Sequence, residues 1–274
     1  MNQPLRRLIV TADDFGLSSS ANQAIIQAHR DGILTCASLM VNEPGFEEAV
    51  ALARQNPGLG VGLHLTLLDG HSTLSRSEIP GLVNERREFT GSPFNAGCRY
   101  VLFPWLKTQL RAEIKAQFAK FRATGLPIDH VNSHHHFHAH PVIFQIVIGL
   151  VREFEIPHMR LTFEPALPAL AQRRVAGSAR VDQLFHSRMA PGIRKKLSAI
   201  GIKHNDFIFG LSQTGQVNEQ YLKELVPALP VGVSEIYSHP SLDTFKHELD
   251  ALLSVSVRDL LKRRDIQTIR FQDL

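Results

Sequence analysis

Apolar residues come in short runs that alternate, along most of the chain, with stretches of helical spacing. Arg7 to Thr11 (RLIVT) is a β-branched run of the kind buried in a sheet. Ser18 to Ser20 offer N-caps for a helix through about Asp31, and Gly32 is its stop. Leu34 to Val41 reads as a second strand, Phe46 to Gln55 as a second helix ended before Pro57-Gly58, and Gly60 to Leu68 as a third strand. Asp69 to Tyr100 is rich in Gly, Pro, Ser and Asn, and its length marks a functional loop or lid rather than a plain connection. From Trp105 to Thr124, Leu106, Leu110, Ile114, Phe118 and Phe121 share one helical face.

The alternation then continues. Ile128 to Ser133 is strand-like, Pro141 to Phe154 helical, and His158 to Thr162 a short strand. Phe163 to about Lys203 is looser, with prolines, Gly177 and many arginines, and reads as helices and loops. Asp206 to Leu211 and Val231 to Ser238 read as strands around a helix at Asn218 to Leu225. Leu242 to Arg263 reads as one long helix, and Thr268 to Phe271 as a last strand. No shorter repeat and no low-complexity linker interrupts the series. Alternation of this kind predicts a parallel α/β fold over residues 1–274 as a single domain, a complete or incomplete (β/α) barrel, with a lid or insertion at 69–100. A doubly wound open sheet is the alternative, and the absence of GxGxxG and GxxxxGKS disfavours a nucleotide-binding form.

Composition narrows the class. The 274 residues are 43% hydrophobic, enough for a sizeable core. Lys and Arg outnumber Asp and Glu by 30 to 26, a mild basic bias that fits an acidic substrate or a membrane surface and demands neither. No basic run interleaves with aromatics, which argues against nucleic acid. Cys36 and Cys98 make no CxxC pair, so a reducing compartment is expected. No apolar leader precedes the first strand and no apolar run is long enough for a bilayer, so the expected location is cytoplasmic with at most peripheral membrane contact.

Chemistry concentrates in Asp129 to Pro141, DHVNSHHHFHAHP, which holds six of the chain's 14 histidines. Imidazole is the commonest protein ligand for transition metals. His130, His134, His136, His138 and His140 share parity with Asn132, but Pro141 and the helix after it imply a strand end turning into a loop, with one or two histidines binding. Catalytic groups of a parallel barrel sit at the C-terminal ends of its strands. Asp13-Asp14, His64, His134 with its neighbours, and His239 all fall at such ends. Of two adjacent carboxylates, one can bind a metal while the other stays free as a base. Taken alone, Asp13-Asp14 would be a capping turn, His64 a satisfied core residue and His239 a strand-to-loop exit. Glu235 shares the face of His239 and reads equally as structural, while His71, His135 and His140 read as bystanders or substrate-side groups. An Asp with two His leaves metal positions open for water and substrate, and a second carboxylate beside them fits amide or ester hydrolysis.

Taken together, TADDFG, NQAIIQAHRDGILTCASLMVN, GVGLHLTL and DHVNSHHHFHAHP resemble the YdjC/ChbG carbohydrate deacetylases over at least Arg7 to Arg160, with EIYSHP a looser match. The N-terminal half looks most like the HpnK branch, associated with hopanoid biosynthesis. This resemblance implies a distorted (β/α) barrel related to polysaccharide deacetylases and a divalent metal, Mg or Zn. It makes Asp13 the catalytic base, Asp14, His64 and His134 the metal ligands, and His239 a general acid or substrate contact. His136, His138 and Arg160 are the expected substrate contacts. The implied substrate is an N-acetylated sugar, on the HpnK reading the headgroup of a hopanoid lipid at the inner membrane surface, and a homodimer is the implied assembly. The flexible lid and the arginine-rich Arg173 to Lys196 region suit a lipid-borne sugar, although solvated loops account for both equally well. One position departs from the pattern: the family often carries Asp, as in THLDSHHHVH, where this chain has Asn132, which keeps a hydrogen-bonding role without the charge. Rival readings are a non-haem iron oxygenase, a non-catalytic metal- or carbohydrate-binding protein, and a metal-dependent phosphoester hydrolase. The free carboxylate of Asp13 favours hydrolysis over oxygenation.

Overall fold

Every strand pairing in the sheet is parallel, and the first strand lies at its centre. The computed structural model describes residues 5–171, 173 and 177–274. In chain order the elements are β1 (Arg6–Phe15), α1 (Ser19–Asp31), β2 (Cys36–Leu39), α2 (Phe46–Gln55), β3 (Gly60–Leu65), α3 (Pro93–Leu102) and α4 (Leu106–Ala123). Then come β4 (Val131–Ser133), a 3-10 segment (His134–Ala139), α5 (Pro141–Glu153), α6 (Gly177–Ala199), β5 (Phe207–Phe209) and α7 (Glu219–Ala228). The chain closes with β6 (Gly232–Ser238), α8 (Lys246–Leu253), α9 (Val255–Arg263), β7 (Ile266–Ile269) and a 3-10 turn at Phe271–Asp273.

The strand order is β4-β3-β2-β1-β6-β5, with β7 beside β1. β2 pairs with the upper half of β1 (Thr11 with Cys36), and β7 pairs with its lower half (Arg6 to Ile9). Between the outer strands β4 and β5 runs the extended segment from His158 to Phe163. Val131 bridges Met159 on one side, and the Ile208 amide donates to the Phe163 carbonyl at 2.9 Å on the other. The sheet therefore curls into a distorted parallel barrel, closed by a strand-like connector instead of a full strand.

Alternation along β1 sorts two environments. Leu8, Val10 and Ala12 face outward into the large core beneath the helices. Ile9 joins Cys36, Val233, Ile269 and Phe271 in a small apolar plug that closes the N-terminal end of the barrel. Above that plug the interior turns polar: Thr11, Asp13, Ser38, His64, His130, Asn132, Arg160 and Glu235 are all buried.

Several expected elements take a different form. Leu242 to Arg263 is not one helix: Ser254 interrupts it, and its hydroxyl accepts from the Val257 amide to cap α9. His158 to Thr162 makes single bridges in place of a strand. Of the loosely patterned Phe163 to Lys203, most is one long helix, α6; Arg174, in the arginine-rich part, lies outside the described residues. Asp69 to Tyr100 is packed down, not left free. Glu113 of α4 accepts from the Thr73 and Leu74 amides at 2.8 and 2.9 Å, Ile79, Leu82 and Phe89 are buried, and the segment ends in α3.

Candidate active site

Strand parity would send Asp13 into the barrel and Asp14 out of it. The backbone overrides parity: Asp14 takes φ 64°, a left-handed conformation that Asp tolerates better than most residues, and the β1–β2 register slips between Ala12 and Phe15. Both carboxyls are turned in this way toward the C-terminal end of the barrel. Gly16 completes the turn at φ 91°, where a Cβ would stand 2.7 Å from the Met40 carbonyl oxygen. Asn22 of α1 holds the turn by accepting from the Gly16 amide at 2.8 Å.

Three donors converge above this turn. His64 Nε2, at the end of β3, lies 3.3 Å from Asp14 Oδ1, and His134 Nδ1, just past β4, lies 3.1 Å from the same oxygen. The ligand atoms all fall within 4.8 Å of one another. Asp14 Oδ1 and His64 Nε2 are buried and neither has a hydrogen-bond partner. Stranding such atoms costs about 1–3 kcal/mol each unless something else satisfies them. A carboxylate and two imidazoles aimed at one point are a donor set that fits a divalent cation. Burial pushes the Asp14 carboxyl up, but the adjoining His134 and His64 imidazoles outweigh it and hold the group well below the usual carboxylate range.

The remaining histidines disperse because the chain leaves the extended form directly after Ser133. His135 and His136 are left-handed at φ 52° and 54°, which breaks the shared parity. His135 pairs with Asp69 at 2.8 Å. His136 lies against the Tyr237 ring at 4.9 Å and the His186 ring at 5.7 Å. His138 is buried, with Nδ1 2.8 Å from the Ser133 hydroxyl and Nε2 3.1 Å from that of Thr162, so both of its nitrogens are already engaged by the protein. His140 is set against Tyr100 of α3.

Asp13 is 2% exposed and faces Arg160, which is 0% exposed. The guanidinium donates to both Asp13 oxygens, Nη1 at 2.6 Å and Nη2 at 3.0 Å, and its Nη2 and Nε also reach Glu235 Oε1 at 2.8 and 3.0 Å. Thr11 donates to that same Glu235 oxygen at 2.7 Å. Burial favours the neutral acid at Asp13, yet Arg160 and, after it, His64 hold the carboxyl far below its ordinary value. Asp13 is therefore an ionised carboxylate held in one orientation. Arg160, expected among the substrate contacts, instead stands behind Asp13 with its fork occupied. His239 adds a weaker electrostatic pull on Asp13 and Asp14; its amide donates to Glu248 at 2.6 Å, and its ring lies 5.6 Å from Tyr237.

Sequence reasoning did not single out His186, which α6 carries to His136. Burial pushes its imidazole down to about 4, and its Nδ1 has no hydrogen-bond partner. It comes from the stretch with the weakest periodicity, so no local signal pointed to it.

Cys36, Asp129 and His130 form a second gathering of donor atoms, at the opposite end of the barrel. Here the partners are complete: Asp129 Oδ2 accepts from His130 Nδ1 at 2.9 Å and from Cys36 Sγ at 3.4 Å, and Oδ1 accepts from the Gln272 amide at 3.0 Å. Glycines fit closely around it, since a Cβ at Gly60 would meet the Asp129 carboxyl at 2.8 Å and one at Gly62 the His130 ring at 2.5 Å.

The sequence profile of the YdjC-like protein family matches residues 7–263. A carbohydrate deacetylase of Brevibacillus brevis is 43% identical over 151 residues, which are 55% of this chain and 58% of that protein, so the match spans little more than half of that relative. A chitooligosaccharide deacetylase of Proteus mirabilis is 31% identical over 281 residues, covering 97% of this chain and 98% of the relative. Among solved structures, a putative cellobiose-phosphate cleavage protein of Enterococcus faecalis superposes with a TM-score of 0.75 at 23% identity over 98% of both chains, a likeness of fold.

Proposed function

The chain belongs to the YdjC-like family, and from that membership and the site geometry we propose that it is a metal-dependent deacetylase of N-acetylated sugars. The observation that carries the reading is the pairing of an unsatisfied Asp14/His64/His134 donor set with an ionised Asp13 beside it. Asp14, His64 and His134 would hold the divalent ion, which when bound supplies Lewis acidity to a water and to the acetyl carbonyl. Asp13 takes the proton from the attacking water. The Arg160 fork keeps it charged and aims both oxygens, so the carboxylate needs no reorientation as the proton arrives. His239, whose electrostatic influence reaches both Asp13 and Asp14, would hand a proton to the departing amine. His136, backed by Tyr237 and His186, would line the sugar side. The names of the deacetylase relatives support an N-acetylated carbohydrate as the substrate class.

A lipid-linked version of that substrate, such as the hopanoid glycoside implied by the HpnK-like resemblance, is favoured by one feature. α3 and the turn after it expose Phe94, Val101, Leu102, Phe103 and Trp105, Phe94 to 78%, while Tyr100 on the same helix packs against Phe137 and His140 of the histidine segment. No helix among the described residues is long and apolar enough to cross a membrane, so contact with lipid on this reading is from the surface.

The test is acetate release from N-acetylglucosaminyl oligosaccharides and from the same sugar on a lipid aglycone, before and after chelation and metal add-back. Release that stops with chelator and returns with metal is expected; release indifferent to chelator, or none from any N-acetylated sugar, overturns the reading. Faster release from the lipid glycoside selects the second substrate over the first.

A further inference from the structure

A file of buried polar groups runs from the site down the barrel axis. Asn132 Nδ2 donates to Asp13 Oδ1 at 3.0 Å and to Ser38 Oγ at 2.8 Å, and Asn132 Oδ1 faces His64 Nδ1 at 2.7 Å. Ser38 Oγ lies 3.1 Å from His130 Nε2, and His130 Nδ1 lies 2.9 Å from Asp129 Oδ2. Ser38, His130, Asn132 and Asp129 are each at most 1% exposed, so no solvent competes for these bonds.

Only one proton arrangement satisfies the whole file. Asp129 accepts only, so the His130 proton sits on Nδ1 and Nε2 carries a lone pair. That lone pair takes the Ser38 hydroxyl proton, which leaves the Ser38 oxygen to accept from Asn132. Asp13 also accepts only, so both hydrogens of the Asn132 amide are spent, one on Asp13 and one on Ser38. The amide oxygen must then face His64, whose Nδ1 is thereby the protonated nitrogen. In the neutral ring Nε2, 3.3 Å from Asp14 Oδ1, then carries the lone pair that a cation would take.

We propose that Asp129, His130 and Ser38 are positioning residues that fix the Asn132 amide and, through it, the tautomer of His64 and the aim of Asp13. The inference rests on the reading of Asp14, His64 and His134 as a metal site. The reversed Asn132 amide would set its oxygen against the Asp13 carboxylate and turn an N–H toward His64. His64 would then carry its proton on Nε2, where it cannot donate to a cation. His130 blocks that reversal by engaging the one hydroxyl proton that could stabilise it.

The test compares Ser38→Ala with the wild-type full chain, and His130→Leu with His130→Gln, since Gln keeps an acceptor for Ser38 and a donor for Asp129. Two readouts do not depend on turnover: the tautomer of His64 from ¹⁵N NMR of the metal-free protein, and the Kd for zinc by titration. Wild type is expected to show a single Nδ1–H tautomer. Ser38→Ala and His130→Leu are expected to show mixed tautomers and to bind zinc about 10-fold or more weakly, as loss of an outer-shell partner does. His130→Gln is expected to stay near wild type. Kd within twofold of wild type and an unchanged tautomer in folded Ser38→Ala overturn the proposal. If Ser38→Ala fails to fold, the His130 pair decides: equal affinity and tautomer in Leu and Gln overturn it as well. Absence of acetate release from the wild type would count against the proposed reaction alone, because zinc binding and tautomer are read without it.

Discussion

Two clusters of nearly the same composition sit at opposite ends of one barrel. Asp14, His64 and His134 crowd together at the C-terminal end with two buried ligand atoms unsatisfied. Cys36, Asp129 and His130 crowd together at the N-terminal end, where the carboxylate already accepts three donors and glycines are fitted around it. Proximity of metal-ligating side chains is common to both; unmet demand is found only in the first. An open donor set costs stability and is kept where something must bind, while a closed one contributes to stability and has nothing left to offer a ligand.

The sharpest way to break this contrast is to remove one member from each end. Asp14→Ala or His134→Ala is expected to abolish retention of metal after dialysis, read by elemental analysis, whereas Cys36→Ala keeps it; loss of metal in Cys36→Ala would invert the assignment. Next in size, Asp13→Asn should lower kcat by about 10²–10⁴ with metal content unchanged, since it removes the base and spares the ligands. Activity surviving at wild-type level would remove Asp13 from that role. At the closed end, Asp129→Ala strands the His130 and Gln272 N–H donors, and a loss of about 3 kcal/mol in denaturant unfolding is expected. A loss below about 0.5 kcal/mol would mean those bonds carry little net stability.

Asn132→Asp probes the link between the two ends. It exchanges two donors for a carboxylate 3.0 Å from Asp13, and a fall of about 10–100-fold in kcat/KM is expected even though the ring of His64 keeps an acceptor. A wild-type kcat/KM would show that the amide donors are dispensable. The smallest effect concerns reactivity. Burial, reinforced by the Asp129 charge, pushes the Cys36 thiol well up, so alkylation of the folded protein is expected at Cys98 and not at Cys36, read by peptide mass mapping.

How much of this was legible in the sequence depended on the range of the interaction. Local periodicity was enough for α2, whose limits match the spacing of its apolar residues, and for α1 between its Ser18 cap and Gly32. It could not reveal that Ser254 breaks Leu242 to Arg263, because the apolar period continues across a residue that caps in place of pairing. Strand-end position drew attention to Asp13, Asp14, His64 and His134 together. Parity alone misleads at both Asp14 and His136, where left-handed backbone turns the side chain to another face. Arg160 was expected among the substrate contacts; its partners, Asp13 and Glu235, lie 147 and 75 residues away and come together only when the barrel curls. The Ser38–Asn132 bond joins residues 94 apart for the same reason, and no local pattern could have announced it.

The pairing of β7 with the lower half of β1 bears on how the chain comes to be folded. The first strand hydrogen-bonds with partners beginning at residues 36, 232 and 266, so its full set of neighbours spans nearly the whole chain. During synthesis that central strand stays bare along one lower edge until Ile266–Ile269 has left the ribosome. Such long-range closure makes folding slow compared with that of a helical bundle. It also makes the wait hazardous, since an unpaired apolar strand edge is a template for association with other chains. On this account the last strand governs yield, through the time the first strand spends exposed, even though it contributes no side chain to the donor set at the other end.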